Sequence, residues 1–131
     1  MKLLLDTQIA IWALTDTRRL SERAKTLIAD YSNDVFVSAV SVWEIAIKFA
    51  LGKRASAPPF SGEVALNAFL AAGFQMLNVT PRHAAGVDGL PALHGDPFDR
   101  MLIAQALSEP LRLLTADRAL AAYGAMVMME I

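Results

Sequence analysis

Five carboxylates stand where a predicted strand ends or where the next helix begins: Asp6, Glu44, Asp96, Asp99 and Asp117. In folds built on a parallel sheet, ligands collect at the carboxyl ends of the strands. If the first, second and fourth strands are neighbours, the five acids therefore lie close together. Oxygen ligands without histidine or cysteine favour Mg²⁺ or Mn²⁺ over zinc. The matching chemistry is hydrolysis of a phosphodiester, with water activated by the cation.

Glu44 is the acid whose surroundings point most directly to a ligand. It stands inside the apolar run 42–47, where burying an unpaired carboxylate costs several kcal/mol. A cation shared with other carboxylates relieves that cost. The sequence therefore predicts a hard-metal site that includes Glu44.

Each acid, taken alone, also has a purely structural explanation. The segment 96–99 (Asp-Pro-Phe-Asp) is close to an ideal helix start. Asp6 and Asp117 suit helix N-termini, where the helix dipole favours a negative charge by about 0.3–1 kcal/mol. Glu44 and Lys48 are four residues apart, and such a pair contributes about 0.2–0.5 kcal/mol on a surface helix. Spacing alone leaves both interpretations open.

Strands separated by helices predict the elements that position these acids. The predicted strands are Lys2–Leu5, Val35–Val40, Phe74–Val79, Leu111–Thr115 and Ala125–Glu130. The predicted helices are Gln8–Leu14, Ser21–Tyr31, Val42–Leu51, Glu63–Ala72, a short one from Thr80, Pro97–Leu107 and a last turn Arg118–Ala122, with Ala55–Phe60 as a loop. This order is typical of a single α/β domain with a mainly parallel sheet. We assign residues 1–131 to that one domain.

Several local features carry their own expectations. Ser41 is predicted to cap the helix Val42–Leu51, which is apolar on nearly every side and should be largely buried. His83 has no motif around it and is expected on the surface. Trp12 and Trp43 are expected to pack in the core or at a dimer interface rather than to stack on bases.

Composition narrows the class of protein. The chain has 131 residues, 55% of them apolar, no cysteine, and a net charge of −1 from 12 basic and 13 acidic residues. These values exclude a disordered chain, a disulfide framework and a strongly basic nucleic-acid binder. The longest apolar run, Ile9–Leu14, is too short to span a bilayer. We expect a cytoplasmic protein without membrane association, whose apolar excess leaves surface for a partner.

Four ordered blocks, Leu3–Thr7, Ser38–Ile45, Asp96–Ala106 and Leu114–Asp117, resemble the PIN domain, specifically the VapC-type toxins of bacterial toxin–antitoxin pairs. The resemblance covers residues 3 to about 128. It implies an α/β/α sandwich around a parallel sheet and an endoribonuclease dependent on Mg²⁺ or Mn²⁺. It also implies a homodimer and a cognate antitoxin.

The resemblance assigns roles to residues. The acidic quartet falls on Asp6, Glu44, Asp99 and Asp117, with Asp96 as an auxiliary ligand or a simple helix cap. The hydroxyl residues beside the site match Thr7, Ser38 and Thr115. Apart from the resemblance, charge and position near the acids make Arg100, Lys48 and His94 weaker candidates for substrate binding. One departure is Gln8, where close relatives often carry histidine. The quartet itself is intact.

Other functions compete with this one. A phosphatase of the haloacid dehalogenase type requires a second acid two residues after Asp6, and Gln8 stands there. A phospho-receiver domain requires an early acid pair and a late lysine, and neither is evident. A PIN-like module that binds RNA or protein without cleaving it stays open, and sensitivity of RNA cleavage to a chelator distinguishes it from a nuclease.

Overall fold

A computed structural model describes residues 1–52 and 57–129 of the chain. The strands are β1 (Lys2–Leu5), β2 (Asp34–Ser38), β3 (Gln75–Leu77), β4 (Arg112–Thr115) and β5 (Val127–Met129). The α-helices are α1 (Thr7–Thr15), α2 (Glu22–Ala29), α3 (Ala39–Leu51), α4 (Gly62–Ala71), α5 (Pro81–Gly86) and α6 (Pro97–Ser108). Short 3₁₀ segments cover Thr17–Arg19, Val87–Gly89 and Arg118–Tyr123. The predicted loop at 55–60 falls partly outside the described residues.

The five strands form one sheet in the order β3-β2-β1-β4-β5, and every pair is parallel. Strands one, two and four are therefore neighbours, as the site hypothesis requires. Helices lie on both faces, which confirms the predicted α/β/α sandwich. Within the described part of the chain, no helix is long and apolar enough to cross a bilayer.

The alternation of β1 divides the core between the two faces of the sheet. Leu3 and Leu5 point to one face, where they join a cluster with Ile9 of α1 and Phe69 of α4. Leu4 points to the other face and packs with residues of α6. Successive side chains of a strand alternate in direction, so this short buried strand packs against the helices on both faces of the sheet. Because Leu5 is buried at the end of β1, the position of Asp6, the next residue, is fixed as well.

The start of α3 differs from the prediction. Strand β2 ends at Ser38, two residues early, and Ser38 rather than Ser41 is the N-cap, its hydroxyl accepting the Val40 amide at 3.0 Å. The β-branched Val40 suggested a longer strand, but it turns inward from the first turn of the helix. Gly52 ends α3 in the left-handed conformation (φ 50°).

The expectation that α3 is largely buried is wrong. Its first half is buried at Val40, Ser41 and Ile45, but the side chain of Trp43 is 60% exposed and that of Leu51 is 70% exposed. The helix packs against α4 on one side and α6 on another, and its remaining surface faces away from both. An apolar sequence did not indicate which side would be covered.

His83 is buried, not on the surface as expected. Its Nδ1 accepts the Thr80 amide at 3.1 Å, completing a capping box at the start of α5, and its Nε2 contacts the carboxylate of Glu109. The Glu109 partner lies 26 positions away, so no local pattern marked the residue. His83 ties α5 to the end of α6 and lies apart from the acidic cluster.

Candidate metal centre

The structure brings the five predicted acids to one cavity of about 200 Å³ at the carboxyl ends of the strands. Its polar lining consists of Asp6, Thr7, Gln8, Glu44, Lys48, Asp96, Asp99 and Asp117. The acids come from four separate segments of the chain, and the parallel order of β2, β1 and β4 is what makes them neighbours. The predicted juxtaposition is therefore present.

Asp6 is held rigidly at the start of α1. Its Oδ1 accepts the Ile9 amide at 2.8 Å as the N-cap, and its Oδ2 accepts the Thr115 hydroxyl. Burial raises the pKa of the Asp6 carboxyl to about 6, and the charges of Glu44 and Asp117 add to the rise, while the two hydrogen bonds oppose it. This carboxylate is oriented in advance and gains from a cation nearby.

Glu44 is buried and has partners of different kinds. Thr7 donates its hydroxyl hydrogen bond to Glu44 Oε1 at 2.7 Å, and the Lys48 ammonium contacts Oε2. Ser41 lies one helical turn before Glu44, with its hydroxyl 2.9 Å from that of Thr7. Sequence reasoning placed Ser41 at the helix cap and missed this role. The spacing i, i+3 on α3 was the available signal, because it places two side chains on one face.

Lys48 lies at the edge of the same cavity with its side chain 47% exposed. Burial lowers the pKa of its ammonium, but the hydrogen bond to Glu44 and the charges of Glu44, Asp96 and Asp99 outweigh that effect and raise it. Lys48 is thus a cation fixed beside an acidic cluster, half open to solvent.

Asp99 faces the cavity from the first turn of α6. Burial raises its pKa to about 7, and the charges of Asp96, Asp6 and Glu44 add to the rise. Asp96 caps α6, and its Oδ1 accepts the amides of Phe98 at 2.8 Å and Asp99 at 3.2 Å. One oxygen of Asp96 thus caps the helix while the residue also lines the cavity, and its role as an auxiliary ligand stays a prediction.

His94 bridges two of the acids. Its Nε2 is 3.2 Å from Asp117 Oδ2 and 3.6 Å from Asp99 Oδ2, and its Nδ1 accepts the Asp96 amide at 3.0 Å. Because Nδ1 accepts a hydrogen bond, the hydrogen of the neutral ring is on Nε2, which therefore donates to the carboxylates. The atoms of His94, Asp99 and Asp117 are close enough for a shared ion, but this tautomer makes His94 a donor rather than a ligand.

Two other predicted residues stand in different positions. Ser38 is fully buried beneath the site as the cap of α3 and does not line the cavity. Arg100 points away from the acids, because its guanidinium donates to the Pro91 carbonyl at 3.0 Å and to the Tyr123 hydroxyl at 3.2 Å. Arg100 thus lies outside the acidic cavity, and its candidate role in substrate binding stays a prediction. Thr115 lies beside the site and donates its hydroxyl hydrogen bond to the Asp6 carboxylate.

The residues of the cavity fit a divalent cation. Asp6 and Asp99 have raised pKa values because they are buried and face other negative charges, and a hard cation removes that repulsion. Every acid presents carboxylate oxygens, which are the ligands that Mg²⁺ and Mn²⁺ prefer.

Comparison with known sequences decides the family. The sequence profile of the PIN domain matches residues 3–126. The chain belongs to the PIN domain family. Among curated proteins, this PIN domain is 32% identical over 118 residues to Ribonuclease VapC22 of Mycobacterium tuberculosis, an alignment covering 89% of this chain and 88% of that protein.

Solved structures resemble the fold of this PIN domain. One is VapBC2 from Rickettsia felis bound to a DNA fragment from its promoter, with a TM-score of 0.73, 14% identity and full coverage of both chains. Another is a toxin–antitoxin complex from Klebsiella pneumoniae, with a TM-score of 0.66, 18% identity, and coverage of 97% of this chain and 96% of that one. At these identities the likeness concerns the fold.

Proposed function

We propose that this PIN-domain protein is a divalent-metal-dependent endoribonuclease and the toxin of a toxin–antitoxin pair. The observation that carries the proposal is the single cavity lined by Asp6, Glu44, Asp99 and Asp117, in a chain of a family that includes a curated ribonuclease of 32% identity. Fixed carboxylates at the open edge of a sheet suit phosphodiester hydrolysis. For such a function we expect a cytoplasmic protein.

The acidic quartet would hold one or two Mg²⁺ or Mn²⁺ ions, with Asp96 as an auxiliary ligand. When bound, the cation lowers the pKa of water and neutralises charge on the phosphoryl oxygens. The products expected of such hydrolysis are a 5′-phosphate and a 3′-hydroxyl.

The chain's own residues prepare the site for this chemistry. The hydroxyls of Thr7 and Thr115 orient the carboxylates of Glu44 and Asp6. The ammonium of Lys48 is half exposed at the rim, where it can bind a phosphate oxygen as a point charge. Positioning of this kind, arranged before the substrate arrives, contributes to catalysis because no reorganisation is needed during the reaction.

Chelator-sensitive cleavage of RNA tests the proposal. The purified protein should cleave RNA with Mg²⁺ or Mn²⁺ and stop when EDTA is added. Asp6→Asn and Asp99→Asn should abolish cleavage while circular dichroism stays unchanged. Glu63→Gln, which alters an exposed acid in the first turn of α4, is the matched control and should remain active. Full activity of either quartet variant would refute the assignment of the acidic site, and RNA binding without cleavage by the wild type would favour the silent module.

We also propose a cognate antitoxin and a homodimer as partners. Support comes from structural neighbours that are toxin–antitoxin complexes and from exposed apolar side chains such as Ile47 and Leu51 on α3 and Leu70 on α4. Light scattering of the isolated protein measures the homodimer. Co-purification with the product of an adjacent short reading frame, together with loss of ribonuclease activity in that complex, tests the antitoxin.

A further inference from the structure

A second groove lies next to the acidic cavity, on the other side of the first turn of α6. It measures about 440 Å³, and its apolar lining includes Val40, Val87 and Met101, with Trp43 as its largest side chain. Asp96 and Asp99 line the acidic cavity, whereas Gly95, Pro97 and Arg100 line the groove. The segment 95–100 thus lines both the acidic cavity and the groove, so a ligand bound at the acids lies next to the groove.

The Trp43 ring packs against one neighbouring aromatic ring and is otherwise largely exposed to solvent. Its ring meets that of Phe98 edge to face, with centroids 5.3 Å apart and an angle of 74° between the planes. The side chain is nevertheless 60% exposed, although tryptophan is highly buried on average. The Lys48 ammonium lies 5.9 Å from the centroid of the Phe98 ring. Phe98 therefore contacts both Trp43 and the lysine of the acidic cavity.

The charges around the groove suit a nucleotide. Lys48 stands between the aromatic pair and the acids, and Arg100 adds a guanidinium to the groove wall. That guanidinium is fixed by three acceptors, the Pro91 and Val87 carbonyls and the Tyr123 hydroxyl. Unpaired RNA bases are bound by stacking on aromatic rings or on the plane of arginine, next to cations that contact the phosphates.

We propose that this groove binds an unpaired base of the RNA, stacked on Trp43, next to the phosphate held at the acidic cavity. The inference rests on the proposed ribonuclease function and adds a subsite for one base beside the acidic cavity. In this proposal Trp43 binds the substrate directly, whereas the sequence predicted that it packs in the core or at a dimer interface. The proposal also gives Arg100 a place in substrate binding away from the scissile phosphate. The exposed residues farther along α3, Ile47 and Leu51, lie outside this groove.

Tryptophan fluorescence tests the base site directly. The chain has two tryptophans, so Trp12→Phe leaves Trp43 as the only one, and Asp99→Asn in the same protein prevents cleavage during the titration. The probes are eight-nucleotide oligomers of A, G, C or U and an abasic oligomer of equal length. We expect at least one base-containing oligomer to quench Trp43 and the abasic oligomer to leave it unchanged.

Affinity measurements with labelled oligomers give the size of the effect. Trp43→Ala should weaken binding of the preferred oligomer by about 5- to 150-fold, as loss of one stacked base does, and leave abasic binding unchanged. Trp43→Phe should keep most of the affinity. Tyr31→Ala, which removes a fully exposed aromatic residue outside the groove, is the control. Gly95→Leu should reproduce the Trp43→Ala loss, because a Cβ at Gly95 meets no atom within 4 Å and the side chain can fill the groove.

Steady-state kinetics separate the base site from the proposed ribonuclease activity. If the wild type cleaves RNA in an EDTA-sensitive manner and Trp43→Ala has an unchanged KM, the base site is refuted while the ribonuclease stands. The base site is also refuted if Trp43→Ala alters only self-association or protein binding in light scattering. If the wild type neither binds nor cleaves any RNA, both proposals fail. A raised KM with little change in kcat, in both Trp43→Ala and Gly95→Leu, supports the base site.

Discussion

The hydroxyl of Thr7 donates a hydrogen bond to Glu44 Oε1 across 2.7 Å, joining the first residue of α1 to the middle of α3. Both side chains are buried. The bond therefore orients a proposed ligand and also satisfies an acceptor that is largely shielded from water.

Replacing Thr7 with valine tests this bond. Thr7→Val keeps the shape but removes the donor, so we expect unfolding free energy to fall by about 1–3 kcal/mol and RNA cleavage to fall with it. Urea unfolding and a cleavage assay measure the two effects. Thr7→Ser retains the hydroxyl and should keep most of both. Equal stability of the wild type and Thr7→Val would show that the contact contributes nothing.

Stability of the metal-free protein should decrease as the pH rises. The pKa values of Asp6 and Asp99 are raised to about 6 and about 7 in the folded state, so the folded protein binds more protons than the unfolded chain between about pH 4 and pH 7. The stabilisation is complete below the unfolded pKa and is lost as pH rises through the folded values. We expect Tm in EDTA to be lower at pH 8 than at pH 5.

Divalent metal should reverse that loss. Because a cation favours ionised carboxylates, Mg²⁺ should raise Tm more at pH 8 than at pH 5. Asp99→Asn removes one titrating group, so it should weaken the pH dependence of Tm in EDTA and also the pH dependence of the Mg²⁺-induced rise in Tm. Glu63→Gln should change neither. A Tm in EDTA that increases steadily from pH 5 to pH 8 would contradict the proposed origin of these pKa shifts.

Lys48 should have opposite effects on metal and on RNA. Its ammonium contacts Glu44 and is close enough to Asp96 and Asp99 to be affected by their charges, so Lys48→Met should increase Mg²⁺ affinity in calorimetry. The same variant should raise KM for RNA roughly tenfold or more through loss of a charged hydrogen bond. Lys25→Met, which removes a surface lysine paired with Glu22, should change neither. A parallel loss of metal and RNA affinity would show that Lys48 only supports the fold.

The contact between α3 and α4 depends on a glycine. A Cβ at Gly62 would lie 2.7 Å from Ala46 Cβ and 3.2 Å from the Val42 carbonyl oxygen. Gly62→Ala should therefore destabilise the protein by about 1–3 kcal/mol in urea unfolding. Adding Ala46→Gly removes the nearest clash and should recover part of that loss. Gly89→Ala, where the new Cβ meets nothing within 4 Å, is the control.

The positions of the acids could be predicted from the sequence because each acid lies at the end of a recognisable strand or at the start of a helix. Asp6 and Asp117 follow buried strands, and a parallel α/β pattern places such positions at one edge. The cavity could therefore be predicted on the condition that the first, second and fourth strands are neighbours, which the order of the sheet fulfils. The hydroxyl groups around the cavity could not be assigned correctly. Ser41 was predicted as the cap of α3, but Ser38 is the cap, because the predicted end of β2 was two residues too late. Local propensity does not fix a strand boundary that closely.

Contacts between residues distant in sequence could not be predicted from local patterns. His83 is buried because Glu109 reaches it from the end of α6. The Arg100 guanidinium lies outside the acidic cavity because the Pro91 and Val87 carbonyls accept its hydrogen bonds. Trp43 stays 60% exposed although Phe98 of α6 packs against its ring. Composition shows how apolar a helix is, but the neighbouring elements of the fold determine which of its sides are buried.

The hydrogen bond from Thr115 to Asp6 spans 109 positions of the chain, and this has a consequence for the timing of activity during translation. A nascent chain already contains Asp6 and Glu44 long before Asp117 has been synthesised. The strand that carries Thr115 must emerge and pair with β1 before the carboxylates can assemble. Chains truncated before Thr115 lack both a complete β4 and Asp117, so they cannot assemble the complete acidic cavity.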